Sequence, residues 1–342
     1  MKLDSRKKKV LQAIVEDYIA TAEPVGSRTI ARKYNLGVSP ATIRNEMADL
    51  EEMGYLEQPH TSAGRIPSDL GYRFYVDCLM APCDHSSIDH ESIASAYRRK
   101  VREIESLIQM TVRVLSESTN CLAVVLGPQF GLARVQYLQF FPLFSHQALM
   151  VLVTDTGLAE NRLIEIPEGT QPGELLHVGQ VLNRTLAGLT LDEVSSTAWR
   201  ELSSELARYR SIVEQVTELL EALTAQDGAE RVYMAGTINI LTQPEFRDID
   251  KARMLLGLLE KNQALYHLLK PKTHDLSISI GEENQMVEVR DCSLVSSAYH
   301  IGQSTHGHLA VMGPRRMDYS RIVSVVQIVE GVFSETLRKN VG

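Results

Sequence analysis

What most constrains this chain is the punctuation of its first 80 residues, where Pro24, Gly37, Ser39-Pro40, Gly54, Pro59, Gly64 and Pro67 cut it into short pieces. Ahead of the first break, Asp4 is a good N-cap. Val10, Leu11, Ile14, Val15, Tyr18 and Ile19 then recur at three- and four-residue steps, which predicts an amphipathic helix that stops before Pro24. Ser27 is expected to cap a second, short helix in which Ile30 and Tyr34 share a face, and Asn35-Leu36-Gly37 supplies the turn that ends it. Ser39-Pro40 opens a third, with proline at the first helical position, where its missing N–H costs nothing. Tyr55–Gln58 and Arg65-Ile66 then read as strands around a polar loop from Pro59 to Gly64. Helix, short helix, turn, helix and hairpin make a winged helix-turn-helix. A further helix from Ser68 to about Met80 carries Tyr72, Phe74 and Tyr75.

The third helix separates into two faces. At 100° per residue, Ile43, Met47 and Leu50 point one way while Ala41, Thr42, Asn45, Ala48 and Asp49 point the other. A helix entering a major groove needs short side chains where its backbone approaches, and amide, hydroxyl or guanidinium groups where base edges are read. Asn45 suits adenine, Thr42 or Ala41 a thymine methyl, and Arg44 a guanine or a phosphate, while Ser39 at the helix start suits a phosphate. The same face also fits a winged helix that binds protein.

Local charge favours nucleic acid. The whole chain carries −8, which argues against a generally adhesive polyanion binder, yet residues 1–45 hold nine Lys/Arg against four acids. Residues 46–80 hold two against seven. Lys7, Lys8, Lys9, Arg28, Arg32 and Lys33 are the expected phosphate contacts, although each also fits an ordinary solvated charge. The wing tip from His60 to Gly64, followed by Arg65, suits the DNA backbone or minor groove.

Beyond residue 80, 342 residues with 44% hydrophobic content allow two or three cores. Residues 81–90 read as a linker. One helix of about 28 residues should follow, with Ile93, Tyr97, Val101, Ile104, Ile108, Val112 and Leu115 along one side. Strands are expected near 121–126, 132–141, 147–154 and 160–166, and helices over 173–225. Four more strands at 276–280, 286–290, 293–301 and 307–313 precede a closing helix from Tyr319 to about Lys339. Strands grouped on both sides of a helical block imply a multi-domain α+β chain in which one domain is interrupted by another.

Other chemistries find little foothold. No apolar run approaches a membrane span and no secretory segment opens the sequence, so a cytoplasmic protein without membrane contact is expected. Cys78, Cys83, Cys121 and Cys292 form no CxxC pair. His300, His306 and His308, and the group Cys83, Asp84, His85 and His90, lack the spacing of a complete metal set. Glu282 and Glu283 read as solvated carboxylates in a hairpin turn. No phosphate loop, nucleophile elbow or zinc-hydrolase pattern occurs, so no catalytic residue, metal or cofactor is expected.

The stretch PVGSRTIARKYNLGVSPATIRNEMADLEEMGYLEQPHTSAGRIPSDLGYRFYVD closely resembles the N-terminal region of HrcA repressors. The segments Thr242-Gln243-Pro244-Glu245-Phe246, Ile280-Gly281-Glu282-Glu283-Asn284 and Gly313-Pro314-Arg315-Arg316-Met317-Asp318-Tyr319 extend the resemblance over nearly the whole chain. Two departures stand out: Arg315 replaces the usual Thr, and Ala235-Gly236-Thr237-Ile238-Asn239 replaces Gly-Gly-Thr-Ser-Asn. The resemblance implies a GAF-like domain interrupted by an inserted dimerisation domain. It also implies a homodimer on an inverted-repeat DNA operator of chaperone operons, and an active form maintained by the chaperonin GroEL and lost on heat stress. The expected division is 1–80 for the DNA-binding unit, 81–141 for linker, connecting helix and first GAF-like part, 142–232 for the insertion and 233–342 for the second GAF-like part. A metabolite-sensing regulator with an effector in the GAF-like domain is the alternative.

Overall fold

The structure, a computed structural model, describes residues 3–60, 63–82, 88–97, 104–127, 133–144, 146–155, 159–194, 206–225, 231–269, 276–301 and 305–341. Cys83, Asp84 and His85, the tip residues Thr61 and Ser62, and the side chains of His90 and His306 lie outside them.

Local signals settle the first unit. Asp4 accepts from the amides of Arg6 and Lys7 and starts α1 (Ser5–Thr21), whose Val10, Leu11, Ile14 and Val15 are buried. The second helix, α2 (Ser27–Lys33), is capped by Gly26 without a side-chain bond, so Ser27 lies inside it and not at its cap. Ser39 caps α3 (Pro40–Glu52), accepting from Thr42 N–H, with Pro40 at the first helical position. Two short strands follow, β1 (Leu56–Glu57) and β2 (Ile66–Pro67), paired antiparallel. Val25 and Arg65 exchange backbone hydrogen bonds at 2.9 Å in both directions, which adds a third line to this hairpin. The chain passes Val25 so closely that a Cβ on Gly64 would lie 2.4 Å from the Val25 carbonyl oxygen. Ser68 caps α4 (Asp69–Phe74), which runs on through a wider π turn, Tyr75–Leu79.

The expected 28-residue helix is two helices, α5 (His90–Tyr97) and α6 (Ile104–Thr119). A continuous helix would hold residues 97 and 111 about 21 Å apart. Instead the Tyr97 hydroxyl donates to Thr111 Oγ1 at 2.8 Å inside the core, so the chain folds back on itself. The shared apolar face that suggested continuity serves two helices packed on each other.

Strands β3 (Leu122–Leu126), β7 (Val232–Ala235), β8 (Ser277–Ile280), β9 (Cys292–Ile301) and β10 (Thr305–Pro314) form an antiparallel sheet in the order β7-β3-β10-β9-β8. Its central strands are buried on both sides, and alternation assigns each residue to a layer. Ala123, Val125, Leu309 and Val311 join α6, the closing helix α13 (Tyr319–Val341) and the N-terminal helices in one cluster. Leu122, Val124, Ala310 and Met312 face a second cluster with Ile240 of α10 (Thr237–Leu241), Leu255 and Leu258 of α11 (Ile249–Leu259) and Leu265 of α12 (Asn262–Leu269). The strand expected at 286–290 is a single 3-10 turn, Val287–Val289. There the buried Asn284 amide donates to the carbonyls of Gly281, Val289 and Cys292, and the Val289 oxygen is one that a strand at 286–290 would have turned towards a neighbour.

Between β3 and β7 lies a separate unit, with the meander β4 (Val135–Phe144), β5 (Gln147–Thr154) and β6 (Ala159–Glu165) under α7 (Pro172–Leu186), α8 (Leu191–Val194) and α9 (Arg210–Ala225). Its core runs from Ala133 to Leu223 and shares no residue with the other two clusters. The boundary expected between 141 and 142 therefore falls inside β4, which pairs with β5 and not with β3. The other boundary, between 232 and 233, falls inside β7, which pairs with β3. Both limits move towards the N-terminus for the same reason, that pairing partners decide which sheet a strand belongs to.

Candidate nucleic-acid interface

Helix α3 turns Ile43, Met47 and Leu50 inward, and leaves Ser39, Ala41, Arg44, Asn45, Ala48 and Asp49 exposed, with Thr42 half-buried. The Ser39 and Thr42 hydroxyls lie 3.0 Å apart at the start of the helix. This is the small, polar face that the helical phase separates. Glu46 is the exception: one turn from Ile43 and Leu50, it is buried beside them.

Its partner is Lys7 on α1. The ammonium lies 2.9 Å from Glu46 Oε2, 2.9 Å from Asp49 Oδ2 and 3.5 Å from Asp4 Oδ2. The Glu46 hydrogen bond, then that of Asp49, raises the Lys7 pKa. Arg6 adds a 3.5 Å contact to Glu46. Lys7 is thus an internal tie between α1 and α3 that offsets two carboxylates on the candidate reading helix. Only a carboxylate at a core phase of an amphipathic helix would have signalled it.

Two other expected contacts are also engaged. Lys33 Nζ lies 2.6 Å from the buried Asp17 carboxylate. Arg65 donates from Nε to Glu51 at 2.9 Å and has a second nitrogen at 2.7 Å, which ties the hairpin to the end of α3. Arg28, Arg32, Arg44 and Lys9 are exposed, and make no ion pair among the described residues. The cations divide into those that build the unit and those that remain open to an anion, a division that charge counting does not make.

Downstream, the three motif segments meet at the base of this unit. Arg316 donates to Glu245 at 2.6 Å, to the Gln243 side chain at 3.0 Å and to the Ile19 carbonyl of α1 at 3.3 Å. Arg315, where the chain departs from the usual pattern, donates to Asp69 of α4 at 2.9 Å. Glu283, expected in a solvated hairpin turn, sits in a 3-10 turn and receives a two-pronged hydrogen bond from Arg73. His300 and His306 are backbone register partners in the β9–β10 pair. No helix among the described residues is long and apolar enough to cross a membrane.

Residues 105–323 match the family model described as HrcA protein C terminal domain. A heat-inducible transcription repressor HrcA of Symbiobacterium thermophilum is 48% identical, over 98% of this chain and 99% of its own length. One of the same name from Moorella thermoacetica is 47% identical over 99% of both chains. A crystal structure of a hypothetical protein, 24% identical, superposes with a TM-score of 0.64 over 99% of this chain and all of its own, so the fold is shared from end to end. With a family match across most of its length and relatives of nearly half-identical sequence throughout, the chain belongs to the HrcA family.

Proposed function

We propose that this chain is a heat-inducible transcription repressor that binds double-stranded DNA as a homodimer. Residues 3–80 act as a winged helix-turn-helix, the five-stranded unit is the GAF-like domain, and the unit between Ala133 and Leu223 is the inserted dimerisation domain. The observation that carries the reading is the outer face of α3. Arg44 and Asn45 stand there among Ala41, Ala48 and the Ser39–Thr42 hydroxyl pair, with the open cations Arg28 and Arg32 on the neighbouring α2. Such a face brings a helix backbone close to base edges while guanidinium groups take phosphates.

An apolar sheet face supports the dimer. Tyr137, Phe141, Leu143 and Leu163 on β4 and β6 are 43–52% exposed, and Phe141, Leu149 and Leu163 are cross-strand neighbours in one row. Contiguous apolar surface of this kind marks an association site. Two copies joined here present two reading helices related by a two-fold axis, which matches an inverted repeat. Loss of the folded fraction on warming supplies the heat response, since marginal stability falls steeply with temperature. GroEL is the partner that returns the chain to its binding form.

Selection of bound duplexes from a random pool tests the DNA reading: an enriched inverted repeat is expected, and failure to enrich any sequence would overturn it. For the chaperonin, binding should fall after mild heating and recover with GroEL and ATP. Unchanged binding in both conditions would contradict that part.

A further inference from the structure

One contact set lies outside the DNA-facing surface and outside the dimer face, yet joins the N-terminal unit to the five-stranded unit. Ser68, the cap of α4, donates to the Gly54 carbonyl at 2.6 Å, just past the end of α3. Its backbone N–H donates to Tyr55. Helix α4 is therefore fixed to the reading helix within a few residues. From α4, Arg73 reaches the sheet unit. It donates through Nε to Glu283 Oε1 at 2.7 Å, through a terminal nitrogen to the other carboxylate oxygen, and through that same nitrogen to the Ile278 carbonyl at 2.7 Å.

One turn earlier, Asp69 accepts from the Glu282 amide and from Arg315, both at 2.9 Å. The close approach depends on Gly281. Its φ of +55° favours glycine, and a Cβ there would stand 2.0 Å from the Asp69 carboxylate. Behind these bonds the Tyr72 and Tyr319 rings pack with centroids 6.0 Å apart. Two-pronged guanidinium–carboxylate pairs fix angle as well as distance, which a single point contact does not.

We propose that Asp69, Arg73, Glu283 and Arg315 are positioning residues for DNA recognition, and that this joint sets the separation between half-sites that the dimer accepts. The inference rests on the dimeric, operator-reading function proposed above. The joint touches no DNA. It acts by holding each reading helix at one angle to the five-stranded unit, into which the dimerisation unit is inserted between β3 and β7, so that the angle reaches the two-fold axis through that unit. A second half-site is engaged as an intramolecular event, so its contribution depends on how sharply the joint confines the second helix. A rigid joint gives a narrow preference for spacing; a loose one gives a broad preference and a lower peak.

The test uses the full-length protein and two kinds of duplex: a single half-site, and inverted repeats whose spacer is varied one base pair at a time through about one helical turn. The native chain is expected to peak at one spacer, by about tenfold or more over spacers half a turn away. Arg73→Ala and Glu283→Gln should flatten that profile while leaving half-site affinity unchanged, and the exchanged pair Arg73→Glu with Glu283→Arg should restore part of the peak. Amide hydrogen exchange at Glu282, measured without DNA, should accelerate in Arg73→Ala while circular dichroism stays native. A peak that persists in Arg73→Ala, or half-site affinity that falls together with repeat affinity, would overturn the inference. Unchanged exchange at Glu282 would do so independently of DNA. A native chain that prefers no inverted repeat would instead overturn the operator reading, leaving the exchange result to judge the joint.

Discussion

The outer face of α3 and the outer face of the β4-β5-β6 sheet are both largely exposed among the described residues, and they are chemical opposites. One carries small and polar side chains, with the open cations Arg28, Arg32 and Arg44 around it; the other carries Tyr137, Phe141, Leu143 and Leu163. Exposed apolar area is covered by another apolar surface, because removing about 100 Å² from water is worth roughly 2.5 kcal/mol. Exposed guanidinium groups remain hydrated until a polyanion releases its own counterions to them. The two faces therefore suit a second copy of the chain and a duplex respectively, and variants that blur the difference test the comparison.

The largest expected effect follows from charging the apolar face. Phe141→Arg should convert the proposed dimer to monomer in sedimentation. It should lower affinity for an inverted repeat by about 10²- to 10⁴-fold, while a single half-site still binds as before. Next comes the core under the polar face: Ile43→Ala should cost about 2–5 kcal/mol in denaturant unfolding, because the side chain is completely buried beneath α3. Arg44→Ala leaves folding intact and should weaken operator binding by about 1–3 kcal/mol, with little change on random duplex. Equal loss on both would assign Arg44 to phosphate.

Smaller effects separate open cations from engaged ones. Arg28→Ala should reduce the slope of log affinity against log salt by about 1 per protomer. Lys33→Ala, which removes the partner of Asp17, should leave the slope unchanged and lower stability instead. The joint has its own pH signature. Burial raises the Glu283 pKa, but the Arg73 hydrogen bond and the Ile280 amide outweigh it, so the net shift is below the ordinary value of 4.5. A depressed carboxylate pKa stabilises the folded form fully above that ordinary value, and the contribution disappears as pH falls through the lowered one. The stability difference between the native chain and Glu283→Gln should thus be constant near neutrality and shrink below about pH 4.5.

Legibility in the sequence follows the range of the interactions. Caps at Asp4, Ser39 and Ser68 and the breaks at Pro24 and Gly54 are local, so α1, α3 and α4 and the buried face of α3 follow from neighbouring residues alone. Strands β5, β9 and β10 are recognisable because each holds an apolar stretch bounded by polar or turn residues. The turn at 287–289 mimics alternation over too few residues, and the carbonyl of its last residue, Val289, is taken by Asn284. Strand β7 has only four residues, and exists because β3 lies beside it. The split into α5 and α6 depends on a tyrosine hydroxyl fourteen residues from its acceptor. The joint depends on pairs such as Arg73 and Glu283, 210 positions apart, for which one sequence carries no signal. In the candidate site, residue type identifies the exposed face, but not which cations are already bound. Lys7, Lys33 and Arg65 look like Arg28 and Arg44 until Glu46, Asp17 and Glu51 are seen against them.

The central claim is that α3 reads sequence. Its most direct test is fluorescence anisotropy of the full-length protein on the selected inverted repeat and on a scrambled duplex, with the native chain and with Asn45→Ala. The native chain is expected to favour the repeat by about 10³-fold or more, and Asn45→Ala to reduce that ratio by at least about tenfold while binding to scrambled duplex stays the same. Equal native affinity for both duplexes, or a ratio untouched by Asn45→Ala, would contradict it.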